Sequence, residues 1–193
     1  HRQPVTTGWK DIDMIVGGGL GKSELGVVIA PTGAGKSMVL VHLGSQAIKE
    51  GKTVIHYTLE LQDTVIANRY DSCITGYPLS NLIDFKEDIY NEIKDLDGTL
   101  IVKEYPTKSA SVATIRAHLN KLMKRGINPG MIIVDYADLL KPIVVRKEKR
   151  AELESIYEDL RALAQEFECC VWTASQTNRT GLNAEVVTME SIS

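Results

Sequence analysis

Apolar residues recur along this chain in two alternating rhythms. Short runs rich in β-branched and aromatic residues at positions 27–30, 53–59, 99–102, 131–134 and 169–173 predict five strands. Residues 131–134 are wholly apolar, the pattern of a strand buried on both faces of a parallel sheet. Between the runs, apolar residues fall three and four apart, which predicts helices. The first carries Val39, Leu40 and Leu43 and stops at Gly51; the second carries Val65, Ile66, Tyr70, Cys73 and Ile74 and stops at Gly76. Residues 80–96 predict a less regular helix with Leu82, Ile83, Ile89 and Ile93 turned inward. Ser109 or Ser111 caps the next, on Val112, Ile115, Leu119, Leu122 and Met123, which Gly126 closes. A long helix over 148–168 carries Leu153, Ile156, Leu160, Leu163 and Phe167. Residues 1–22 form a lead-in whose Trp9, Ile12, Met14 and Ile15 are expected to make a short helical turn packing on a core of residues 23–193.

Five alternations of strand and helix argue an α/β fold, a mainly parallel sheet with helices on both faces. All strand ends then share one edge, where open α/β sheets bind ligands. Ala30, Glu60, Asp135 and the Ser175-Gln176 pair follow four different strands and meet there.

The first of those positions opens the most specific chemistry. Val27, Val28 and Ile29 run into Ala30-Pro31-Thr32-Gly33-Ala34-Gly35-Lys36-Ser37, and a helix follows at once. Gly33 and Gly35 let successive N–H groups curl into one concavity, and the helix start adds its positive dipole end, so the loop suits a phosphate. Lys36 is placed to reach the β- and γ-phosphates of ATP, and the Ser37 hydroxyl to take one site on Mg²⁺. Ala30 stands where the strict P-loop pattern has its first glycine. Asp135 has the context of the acid that holds the water shell of Mg²⁺, with Asp138 as the second candidate. Glu60 reads as the general base for the attacking water, or as an acid favoured by the start of the following helix. Gln176 is placed to hydrogen-bond the γ-phosphate or that water, or is a plain loop glutamine.

Composition narrows the picture. At 193 residues and 44% hydrophobic, the chain suffices for one domain with its own core. The formal charge is −3, so contact with nucleic acid has to come from a local patch. One such patch is the run at 141–150, where Lys141, Arg146, Lys147, Lys149 and Arg150 follow Asp135 closely; it either tracks a single-stranded backbone or is simply solvated. Cys73, Cys169 and Cys170 read as thiols of a reducing cytoplasm, and no apolar run suggests a membrane span. His42, His56 and His118 are scattered, unlike metal ligands.

With these residues placed, the chain resembles the RecA-type ATPase domain of DnaB-like replicative helicases, most closely their bacteriophage versions. The stretches that carry the resemblance are TGWKDID from Thr7, APTGAGKS from Ala30, TLEL from Thr58, IIVDYADLL from Ile132 and SQTNRTG from Ser175. It implies a RecA-like P-loop NTPase with strand order 99–102, 53–59, 131–134, 169–173, 27–30. It further implies a homohexamer that hydrolyses ATP at subunit interfaces and draws single-stranded DNA through its channel, with primase and a helicase loader as partners. Lys36, Ser37, Glu60, Asp135 and Gln176 take the roles given above, and Arg179 becomes a phosphate- or neighbour-contacting residue. Set against the family, the sequence reads as lacking the N-terminal primase-interacting domain and as a core truncated at the C-terminus, before a second DNA loop and an interface arginine. A RecA or RadA-like recombination ATPase, or a clock-type or signalling ATPase acting on protein, are the alternative readings of the same fold.

Overall fold

The computed structural model describes residues 2–177. Five strands, β1 (Leu25–Ala30), β2 (Thr53–Thr58), β3 (Thr99–Glu104), β4 (Met131–Asp135) and β5 (Cys170–Gln176), form one sheet in the order β1-β5-β4-β2-β3. Every pairing is parallel, and the order is the one the RecA resemblance implied. Register brings Ala30 opposite Gln176 and Thr58 opposite Asp135. The candidate residues therefore share one edge.

Among the described residues six helices accompany the strands: α1 (Lys10–Val16), α2 (Lys36–Lys49), α3 (Asp63–Thr75), α4 (Lys86–Ile93), α5 (Val112–Lys124) and α6 (Lys149–Glu166). Side chains alternate across a strand, so the sheet feeds two cores. Val54, Met131, Ile133 and Cys170 pack with Leu40, Val41 and Leu43 of α2 and Ile66 and Tyr70 of α3. Ile55, Tyr57, Ile132, Val134 and Val171 pack on the opposite face with Ile115 and Leu119 of α5 and Ile156, Leu160 and Leu163 of α6. Every residue of β4 is buried, as its apolar run required. Each fully buried aliphatic side chain contributes on the order of 1.5–3 kcal/mol against conformational entropy. Ser111, not Ser109, caps α5; it accepts from the Thr114 N–H in a reciprocal capping box, the kind of contact worth about 1 kcal/mol.

Three histidines settle into structural contacts. His56 is fully buried, its Nδ1 bonded to the Tyr70 hydroxyl at 2.8 Å, and burial pushes its pKa down to about 3. His118 pairs with the Tyr57 hydroxyl at 2.8 Å, and His42 with the Thr7 carbonyl at 2.9 Å. Tyr70 in turn lies against Gly44 of α2 so closely that a Cβ there would stand 2.1 Å from its hydroxyl oxygen. Cys169 and Cys170 are free and buried, which raises both thiols. Among the described residues no helix is long and apolar enough to cross a membrane.

Two expectations are corrected. Residues 80–96 do not form one helix: a 3-10 turn at Leu79–Asn81 precedes α4, and only Ile89 of the four supposed inward residues is buried. Ile83 is 90% exposed, so no continuous apolar stripe holds a longer helix together. In the lead-in, α1 forms but buries nothing; Ile12, Met14 and Ile15 are exposed, and Trp9 only stacks on His42 at 4.0 Å. Outside α1 the segment does pack on the core, through Val5 and Leu20, and polar contacts add to that. Val5 bridges Leu20 and is buried, Asp13 accepts from Thr6 and Thr7, and Arg2 grips Glu24 through two 2.8 Å bonds.

Candidate nucleotide site

β1 ends at Ala30, and the chain turns through Pro31 to Gly35 before α2 begins at Lys36. Gly33 and Gly35 adopt φ of 77° and 89°, the left-handed region that favours glycine, and nothing stands within 4 Å of where their Cβ atoms would be. The loop thus bends around open space. A cavity of about 260 Å³ adjoins it, lined on the loop side by Thr32, Gly33, Gly35, Lys36 and Ser37. Glu60 and Gln176 line the same cavity.

Each of these side chains is positioned by a local device. Lys36 is largely buried, and its Nζ donates to the Ala30 carbonyl at 3.3 Å and the Pro31 carbonyl at 3.1 Å, which keeps the ammonium inside the loop's curve. Ala34 closes the turn, its N–H donating to the Pro31 carbonyl at 3.3 Å. Glu60 is exposed at the apex of a turn in which the Thr58 hydroxyl donates to the Leu61 carbonyl at 2.7 Å and accepts the Leu61 N–H at 3.2 Å. The Leu59 N–H donates to the Asp135 carbonyl at 3.0 Å, tying that turn to the end of β4.

Asp135 is 1% exposed, and its Oδ1 has no hydrogen-bond partner among the described residues. Burial raises its carboxyl pKa, opposed by the neighbouring Ser37 hydroxyl and by the charges of Arg69 and Lys36, while Glu60 adds to the rise. A buried carboxylate oxygen left unpaired beside a hydroxyl oxygen is a donor set that suits Mg²⁺, a hard cation bound through oxygen and water. Asp138, the second candidate, is engaged otherwise: its carboxylate accepts the Ser175 hydroxyl at 3.1 Å and the Gln176 N–H at 3.2 Å. It braces β5.

Four further residues line the cavity that were not singled out as site residues, Met38, Leu61, Arg69 and Tyr136, and the last two bring polar groups to it. Arg69 lies between the buried Ile66 and Tyr70 positions of α3, so a cation beside an inward-facing stripe was its available signal. Tyr136 directly follows Asp135 through a cis peptide; its hydroxyl donates to Gln176 Oε1 at 3.2 Å, and Lys36 Nζ stands 5.3 Å from its ring centre. Arg179 lies outside the described residues.

Arg146, Lys147, Lys149 and Arg150 are all exposed, in the loop after β4 and the start of α6, and none lines the cavity. Ile143, Val144 and Val145 of the same loop are exposed too. A larger cavity, about 520 Å³, lies at the opposite edge of the sheet near Thr53, Gly130 and Cys170. Its charged residues, Lys22, Lys52, Glu166 and Glu168, are of both signs and form no metal-binding group.

Relatives of the chain are found among replicative helicases. A family model for the DnaB-like helicase C-terminal domain matches residues 4–185. The DnaB-like replicative helicase of Enterobacteria phage T4 is 32% identical over 194 residues, covering 94% of this chain and 41% of that protein. The replicative DNA helicase DnaB of Helicobacter pylori (strain ATCC 700392 / 26695) is 23% identical over 181 residues, 91% of this chain and 37% of the relative. The chain thus spans about two-fifths of the length of these relatives. Among solved structures, one of a DnaB-like replicative helicase and its interactions with primase superposes with a TM-score of 0.81 at 16% identity, covering 99% of this chain and 48% of that one. A solved ATPase domain does so at 0.79 and 18% identity, over 98% of this chain and 70% of its own. Sequence and fold agree, and the chain belongs to the DnaB-like helicase C-terminal domain family.

Proposed function

We propose that this chain is the ATP-hydrolysing motor domain of a replicative DNA helicase, coupling turnover to movement along single-stranded DNA and to duplex unwinding. One observation carries the reading: side chains that follow β1 and β2 and one that ends β5 line a single cavity beside a phosphate-type loop, with the buried carboxyl that ends β4 near its Ser37. Membership of a helicase family favours it over the recombination and signalling alternatives.

In this reading the backbone N–H groups of residues 30–37 cradle the phosphates, and Lys36 neutralises charge on the β- and γ-groups. Mg²⁺, held by Ser37 and through water by Asp135, supplies further neutralisation of the phosphate oxygens when bound. Glu60 accepts the proton of the attacking water; Gln176 donates to the γ-phosphate or orients that water. Arg179 is assigned to phosphate or to a neighbouring subunit. Arg146, Lys147, Lys149 and Arg150 are assigned to the DNA backbone, supported by their exposure together in a loop that leaves the same edge of the sheet. A homohexamer, primase and a loader are proposed as partners on the strength of the family and of the relative solved with its primase interactions.

ATP turnover of the full-length protein with and without single-stranded DNA tests the whole reading. Stimulation by DNA that vanishes in Glu60→Gln is expected; turnover indifferent to both would refute it.

A further inference from the structure

Among the side chains of the cavity, Tyr136 touches both of the groups assigned to phosphate, and its two contacts are of different kinds. Its hydroxyl donates to Gln176 Oε1 at 3.2 Å, while its ring faces Lys36 Nζ at 5.3 Å. A glutamine amide has an acceptor end and a donor end, and a phosphate oxygen only accepts. Engaging Oε1 leaves Nε2, with its two N–H donors, as the end available to a phosphate. The ring meanwhile offers its negative face to an ammonium that the Ala30 and Pro31 carbonyls hold from the other side.

Tyr136 is itself tied into the fold. The next residue, Ala137, donates its N–H to the Thr173 hydroxyl at 3.1 Å, and that hydroxyl donates to the Val134 carbonyl at 2.7 Å. Asp138 accepts from Ser175 and from the Gln176 N–H. Lys108 Nζ donates to the carbonyls of Asp138 at 2.7 Å and Leu140 at 2.9 Å. The segment carrying Tyr136 is therefore bonded to β5 on one side and to the residues before α5 on the other. A hydroxyl on such a segment has a defined place from which to orient its neighbour.

We infer that Tyr136 is a positioning residue for γ-phosphate recognition: its hydroxyl fixes the Gln176 amide with Nε2 turned to the phosphate, and its ring steadies Lys36. This rests on the nucleotide-site reading above and assigns the residue that makes the site discriminate a nucleoside triphosphate from a diphosphate. Tyr136 acts through Gln176 and Lys36 and needs no contact with the nucleotide.

The test is equilibrium binding of ADP and of the slowly hydrolysed ATPγS to the unaltered chain, Tyr136→Phe, Gln176→Ala and the double variant, with Mg²⁺ present. Phenylalanine keeps the ring and removes only the hydroxyl. Tyr136→Phe is expected to leave ADP affinity unchanged and to lower the preference for ATPγS over ADP by about three- to tenfold, the scale of one oriented hydrogen bond. Gln176→Ala should lower the preference at least as much, and the double variant no further. Tyr136→Leu, which also removes the ring, should weaken ADP binding as well, through Lys36. An unchanged preference in Tyr136→Phe, or a double variant whose loss is the product of the two single losses, overturns the inference. If the unaltered chain binds neither nucleotide more tightly than Lys36→Ala does, the nucleotide-site reading itself falls, and the inference with it.

Discussion

Two loops leave the same edge of the sheet and are built on opposite plans. The phosphate-type loop between β1 and α2 is five residues long, has two glycines in left-handed conformations, and is closed internally by Ala34 and Lys36 donating to carbonyls of Ala30 and Pro31. The basic loop before α6 has its Lys141 N–H bonded to the Ala110 carbonyl and its Arg146 N–H to Glu152, while Ile143, Val144 and Val145 between them are exposed. The first plan devotes backbone geometry to one small, highly charged ligand. The second presents charge on flexible side chains, which suits a long polymer of repeating phosphates read without sequence. Binding at the first should therefore depend on a few atoms, and at the second on the number of charges.

The largest effects are expected from single changes at the first loop and its partners. Lys36→Ala should abolish measurable nucleotide binding, whereas Glu60→Gln should keep binding and lose roughly a hundredfold or more in hydrolysis, the scale of a missing general base. A titration with a fluorescent nucleotide beside a steady-state ATPase assay separates the two. At the second loop no single residue should matter so much. Replacing Arg146, Lys147, Lys149 and Arg150 together by alanine should weaken single-stranded DNA binding by roughly tenfold or more in moderate salt. It should also flatten the plot of log affinity against log salt by about 0.7 for each phosphate no longer neutralised. An unchanged slope returns the loop to mere solvation.

Stability should show the same contrast on a smaller scale. Gly44→Ala, in the helix that leaves the phosphate loop, forces a methyl group against Tyr70 and should cost about 1–3 kcal/mol in urea unfolding. A pH dependence should accompany that packed region. His56 has its pKa depressed by burial from 6.5 to about 3, so the unfolded chain binds the proton first and stability falls as pH drops below about 6.5 toward 3. Between pH 6.5 and 5 that amounts to about 1.5–2 kcal/mol, and His56→Gln should remove this part of the slope of unfolding free energy against pH. The smallest effect belongs to the other loop, where Val144→Ala should stay within about 0.5 kcal/mol in the same unfolding measurement.

The sheet was legible in the sequence because each strand is a short apolar run with a helix-period segment after it, and the parallel order followed from the resemblance. Lys36, Ser37, Glu60 and Gln176 were picked out because the edge argument points to residues at or after strand ends, and the structure gathers them around one cavity, with Gln176 as the last residue of β5. Tyr136 and Arg69 were not. Tyr136 read as the residue after an important aspartate, and nothing in spacing says that its hydroxyl crosses to β5. The divided helix over 80–96 and the exposed α1 depart from expectation for one shared reason: apolar residues near helical spacing do not reveal whether the rest of the fold offers a surface to cover them. The ranking of Asp135 over Asp138 was legible in the apolar run before Asp135, but the task of Asp138 was not, since only the structure shows Ser175 and Gln176 occupying its carboxylate.

The seating of Tyr70 on Gly44 bears on how such a domain can do mechanical work. One helix runs out of the phosphate-type loop and the other out of the Glu60 turn, and between them there is no room even for a methyl group. Sliding one past the other would first unseat Tyr70 and strip His56 of its hydrogen bond. The contact thus holds α2 and α3 in register at Gly44 and Tyr70. Under the proposed motor reading, movement at this site would therefore fall on the turns at either end of the α2–α3 pair and not on the seam between Gly44 and Tyr70.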